Sequence, residues 1–141
     1  MMTPEKVIRN FNRCVDWEER YLYLIELGER LEDYPTEKLD DDHLVAGCQS
    51  QVWLCSKLDE HGKIALKATS DSSIVKGVLS LVLVAYNNQS AEDVLSFDIH
   101  TWFEELALKS HLTPGRTQGL EAIVKSVRNL AYSYQQGTAT L

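Results

Sequence analysis

The chain has 141 residues, 44% hydrophobic and 25% charged, with a formal net charge of −7. That length suits one domain, read here as residues 1–141, and the apolar content supplies a core without a disulfide or metal staple. The negative balance argues against nucleic acid or an anionic membrane as the main partner, since both select basic clusters.

The N-terminus, MMTPEKVIRN, has no long apolar region and no small-residue cleavage site, so no secretory signal is expected. The longest apolar stretch, Val78 to Tyr86, is about half of what spans a bilayer. Thr3-Pro4 is an N-cap followed by proline at the first helical position. Val7, Ile8 and Phe11 then share a helical face. DWEE, from Asp16 to Glu19, approximates a capping box, and Trp17, Tyr21, Leu24, Ile25 and Leu31 form the stripe behind it. Two helices within the first 31 residues are predicted, joined near Cys14 to Asp16.

Residues 32–43 read as an acidic loop, and EKLDDD as a solvated run. Val52 to Leu58 and Ile64 to Thr69 read as the arms of a β-hairpin turning at DEHGK, with Leu44 to Ala46 as a third, short strand. SSIVKGVLSLVLVAY is apolar nearly all round, which predicts a buried helix lying on the sheet. Short helices follow from Ser90 and over Thr101 to Leu108. Thr113-Pro114 repeats the cap-plus-proline signal ahead of a final amphipathic helix carrying Leu120, Ile123, Val124, Val127 and Leu130. Helices, then a small antiparallel sheet of about three strands, then helices make an α+β fold.

The chemistry concentrates at GCQSQVWL (47–54). Three cysteines with no CxxC spacing read as free thiols in a reducing, cytoplasmic compartment. Gly47 allows an unusual turn beside Cys48, and the amides of Gln49 and Gln51 with the Ser50 hydroxyl are donors suited to a thiolate. The competing reading is a structural cysteine at a strand edge. Cys14, near the end of an amphipathic helix, and Cys55, inside a strand, both read as small core hydrophobes. A Cys48–Cys55 disulfide is not required by anything in the sequence. No paired ligands at zinc spacing occur around His43 and Cys48. No local signature joins Cys48 to His43, His61, His100 or His111 as in a cysteine hydrolase.

Arg116 places a cation in the first turn of the last helix, against the helix dipole, and Gly119 weakens the same helix one turn along. These choices fit a contact with an anion or a partner's acidic group, or else a local ion pair and close helix packing. Asp71 stands where a capping carboxylate belongs, and Lys76 is the one charge in an otherwise apolar helix, placed to reach the surface along its stem.

Together, GCQSQVWL, SDSSIVKGVLSLVL (70–83) and HLTPGRTQGLEAIVKSVR (111–128) resemble the SufE family in order and spacing. NRCVDWEERYLYLIELGERL (12–31) is similar to the family's N-terminal helices, and FDIHTWFEELALKSHL (97–112) to its penultimate segment. The Gln-Ser-Gln after the cysteine resembles SufE proper more than the CsdE branch. The resemblance implies an α+β fold shared with IscU-type scaffolds and a sulfur carrier for iron–sulfur cluster assembly. Such a carrier takes persulfide sulfur from a pyridoxal-phosphate cysteine desulfurase of the SufS type onto Cys48, stimulates that desulfurase and passes sulfur to a SufBCD-type scaffold. It implies no cofactor for this chain, and an accessory transfer protein rather than a free-standing enzyme. It implies a loop-tip cysteine able to tuck into an apolar cavity. Arg116 is then the residue for contacting the desulfurase or supporting the loop, with Gln49, Gln51, Asp71 and Lys76 as further loop or docking residues and Trp53 tying the loop to the sheet. A metal- or cluster-binding scaffold of the IscU type is the alternative. Cys55 departs from the family pattern, and it could resolve a Cys48 persulfide only if the two sulfurs meet. The cognate desulfurase, SufS-like or CsdA-like, and homodimerisation stay open.

Overall fold

The structure, a computed structural model, describes residues 2–137. Six helices and three strands follow in the order α1 Pro4–Arg13, α2 Trp17–Glu29, β1 Val52–Leu58, β2 Lys63–Ser70, α3 Ser73–Tyr86, β3 Gln89–Ser90, α4 Ala91–Ser96, α5 Ile99–Glu105 and α6 Pro114–Gln135. The sheet is antiparallel in the order β1-β2-β3, so the fold is α+β.

Local chemistry starts α1, α2 and α6 as the sequence predicts. Thr3, Asp16 and Thr113 accept a backbone N–H from Lys6, Glu19 and Arg116, and Pro4 and Pro114 occupy first-turn positions where no N–H is missed. At α3 the cap is Ser72, whose hydroxyl accepts from Val75 N at 3.4 Å. Asp71 therefore does not cap this helix.

The hairpin has one continuous register, from Val52 opposite Ser70 to Leu58 opposite Ile64. Side chains alternate across a strand, so Val52, Leu54, Leu66 and Ala68 share the face buried against the helices, while Trp53 and Cys55 point to the other. That second face meets Tyr34 from the acidic segment. The segment itself is less irregular than a solvated loop, since Thr36–Lys38 and Asp41–His43 form single 3₁₀ turns.

The third strand is not Leu44 to Ala46. Leu44 makes only an isolated bridge to Trp53, through the hydrogen bond from Val45 N to Val52 O at 2.8 Å. The third strand is Gln89–Ser90, pairing with Lys63 and Ile64. Two residues carry no readable alternation. Asn88, with φ of 60°, turns the chain out of α3 so that its N–H reaches the Ile64 carbonyl.

One core runs through the molecule, with Phe11, Leu24, Ile64, Leu81, Tyr86, Phe103 and Ile123 fully buried. Its closest helix contact is α2 on α3 at Gly28 and Gly77. A Cβ on Gly77 would lie 2.7 Å from the Leu24 carbonyl carbon, and one on Gly28 2.7 Å from the Gly77 nitrogen. Cys55 is buried as expected, but Cys14 is not a core residue. It is the C-cap of α1, partly exposed, with its thiol donating to the Asn10 carbonyl at 3.4 Å.

Candidate functional site: the Cys48 loop

Residues 46–51 bridge the end of the acidic segment to β1 and lie against the N-terminal half of α6. Gly47 has φ of 90°, a left-handed conformation that disfavours any side chain, and a Cβ there would also sit 3.3 Å from the Ala122 Cβ. This turn reverses the chain so that the next side chain, Cys48, points inward. Its Sγ donates to the Gly119 carbonyl across 3.7 Å. A Cβ at Gly119 would itself lie 3.7 Å from the sulfur, so the glycine leaves the thiol a close seat on the helix.

Cys48 opens onto a cavity of about 190 Å³. Val75 and Val78 of α3 and Leu120 and Ile123 of α6 form its apolar walls, and Thr113, Gly115 and Arg116 its rim. Burial pushes the Cys48 thiol up from its ordinary value, because an ion there would lose water without gaining a charge partner. The resting thiol is neutral and half-buried.

The residues singled out from the sequence divide. Cys48, Gln49 and Arg116 line one cavity, together with Ser50. The Gln49 amide lies over Gly115, where a Cβ would overlap it. Arg116 is exposed at the rim, and among the described residues it makes no ion pair. Gln51 secures the loop's far end through its backbone, whose carbonyl accepts from Ser70 Oγ at 2.7 Å and from Asp71 N at 3.4 Å. Its own side chain is exposed, as is Asp71. Trp53 ties the loop through the backbone bridge to Leu44, while its indole N–H is buried without a partner among the described residues. Lys76 does not line the cavity; its Cβ packs where α3 meets Gly28.

Val75, Val78, Gly115 and Thr113 are not legible as site residues from the sequence. The valines look like any core-facing pair on an apolar helix. Gly115 carries a signal, a second glycine in the first turn of a helix already weakened by Gly119, but its neighbour Gln49 is distant in sequence.

The geometry offers no support for a hydrolase or a metal scaffold. None of the four histidines lines the cavity, and Cys48 is its one sulfur, imidazole or carboxylate ligand among the described residues. Among those residues no group of three or more His, Cys, Asp or Glu side chains is placed to hold a metal ion. Cys55 lies on the sheet face opposite the helices, beside Tyr34, whereas Cys48 faces α6; both are free thiols. Among the described residues, no helix is long and apolar enough to cross a membrane.

The site is thus a half-buried thiol on a glycine turn, seated between two helices of an α+β fold. Residues 5–131 match the SufE family, described as a domain associated with Fe–S metabolism, and the chain belongs to that family. In overall fold it is similar to a hypothetical protein from Thermus thermophilus known from a solution structure. The two are 21% identical with a TM-score of 0.76, over 96% of this chain and 99% of that one.

Proposed function

We propose that this protein is a persulfide carrier for iron–sulfur cluster assembly. It accepts sulfur on Cys48 from a SufS-type cysteine desulfurase, stimulates that desulfurase and delivers the sulfur to a SufBCD-type scaffold. The carrying observation is the seat of Cys48: one thiol, neutral and half-buried, over an apolar cavity in a chain of the SufE family.

In the transfer step the Cys48 thiolate attacks the terminal sulfur of the donor's persulfide. A sulfur–sulfur bond forms at Cys48, the donor's sulfur–sulfur bond breaks, and the donor cysteine leaves as a thiolate. The step is thiol–disulfide exchange in form, so its rate follows thiolate fraction and access. Both are low in the resting loop, and the same low access shields a loaded Cys48 persulfide from attack by stray thiols. Docking has to turn Cys48 outward about Gly47, where water favours the thiolate. Arg116, exposed at the rim and without an ion pair among the described residues, is suited to meet an acidic group of the docked partner. Pyridoxal phosphate belongs to the desulfurase.

The test is desulfurase turnover, read as alanine formed from cysteine, with and without this protein. Stimulation by the native chain and its loss with Cys48→Ser are expected. Full stimulation by Cys48→Ser would instead make the protein an adaptor whose cysteine is incidental.

A further inference from the structure

The motif WEERY, residues 17–21, has no part in the sulfur chemistry above, yet two of its side chains converge on one residue beside the site. The Trp17 ring stacks on the His111 imidazole, with centroids 3.9 Å apart and planes 9° from parallel. The Tyr21 hydroxyl donates to the His111 backbone carbonyl. Within its own turn His111 is fixed again. Its Nδ1 reaches the Ala107 carbonyl at 3.1 Å, and a carbonyl only accepts, so Nδ1 carries the proton. Its backbone N–H donates to the Leu108 carbonyl at 3.0 Å. Ala107 itself has φ of 54°, an unfavourable setting for a residue with a Cβ, so surrounding contacts have to hold this turn.

His111 stands two residues before Thr113, the N-cap of α6. Thr113, Gly115 and Arg116 are the rim of the Cys48 cavity. The opposite wall, Val75 and Val78, belongs to α3, and α3 is locked to α2 at the Gly28–Gly77 contact. One helix therefore references both sides of the cavity, the α3 wall through its glycine contact and the α6 rim through His111.

We propose that Trp17 and Tyr21 are positioning residues for Cys48: by gripping His111 they set where α6 begins, and so how closed the cavity is over the thiol. The use of that closure in sulfur transfer rests on the reading of Cys48 as a persulfide acceptor. Its geometry does not, and can be tested without a desulfurase.

The experiment measures iodoacetamide alkylation of Cys48 and Cys55 by peptide mass at neutral pH, in the native chain and in Tyr21→Phe, Trp17→Ala, Trp17→Phe and His111→Ala. Tyr21→Phe deletes one hydroxyl and keeps the ring, so folding is preserved. It is expected to raise the Cys48 rate about two- to tenfold, the range for one lost hydrogen bond. The Cys55 rate stays at its native value. Trp17→Ala raises the Cys48 rate too, Trp17→Phe restores most of the protection, and Trp17→Ala adds little on a His111→Ala background, because both act through one contact. An unchanged Cys48 rate in Tyr21→Phe overturns the proposal. So does a parallel rise at Cys55, which marks general loosening, or full additivity of Trp17→Ala with His111→Ala. Failure of the sulfur-carrier reading registers elsewhere, as no sulfur on Cys48 of the native chain beside an active desulfurase.

Discussion

Cys48 and Cys55 are seven residues apart and have opposite circumstances. Cys55 lies within β1, paired across from Lys67, buried under Tyr34 and fixed by a continuous register. Cys48 lies on a turn held by a left-handed glycine, with one weak hydrogen bond and a cavity beside it. Exposing Cys55 means breaking the hairpin. Exposing Cys48 means turning a short loop and giving up a few van der Waals contacts. The two sulfurs therefore differ in what must move to reach them.

Cys48→Ser should abolish sulfur uptake from a desulfurase, whereas Cys55→Ser, buried outside the cavity, should leave most of the uptake in place. If Cys55→Ser abolished uptake, the distinction between the two cysteines would fail.

The next contrast sets the rigid frame against the loop. Gly77→Ala forces a Cβ against the Leu24 backbone and should cost about 1–3 kcal/mol of stability, as overpacking does, measured by denaturant midpoint at constant slope. Gly47→Ala imposes a side chain at positive φ and should cost about 1–2 kcal/mol. Its cost falls on the loop, so Cys48 alkylation rises while Cys55 stays protected. Equal exposure of both thiols in Gly47→Ala would show that the loop and the hairpin open together.

The acidity of Cys48 gives a finer test. Burial holds the Cys48 thiol above its ordinary value of 9.0. The neutral form is the unreactive one, so at pH 8 Cys48 should alkylate more slowly than the same peptide unfolded, and the gap should narrow as pH rises through the folded value. Faster alkylation in the folded chain at pH 8 would mean an activated thiolate at rest. The smallest effect expected is on stability in Arg116→Ala. Removing a cation from a helix N-terminus should stabilise by about 0.3–1 kcal/mol, while desulfurase stimulation falls. A stability loss in this variant would point to a structural partner for the guanidinium.

Elements with strong local signals are legible in the sequence itself: the capped helices at Thr3, Asp16 and Thr113, the hairpin with its turn, the buried α3. The Cys48 loop is legible because Gly47 beside Cys48 is locally unusual. What escapes the sequence has a common cause. The β3 strand is two residues long, Ser72 rather than Asp71 caps α3, and Cys14 closes a helix instead of filling a core. Each turns on a choice between adjacent residues that periodicity cannot make. The cavity escapes because Val75, Gly115 and Ile123 meet only through tertiary packing. The grip of Trp17 and Tyr21 on His111 escapes for the same reason, the tyrosine and the histidine being 90 residues apart.

The most direct measurement is the non-reducing mass of the Cys48 and Cys55 peptides after incubation with a SufS-type desulfurase and cysteine. The account predicts a gain of one or more sulfur atoms on the Cys48 peptide alone, reversed by reductant. No gain on Cys48 beside an active desulfurase, or an equal gain on Cys55, would contradict it.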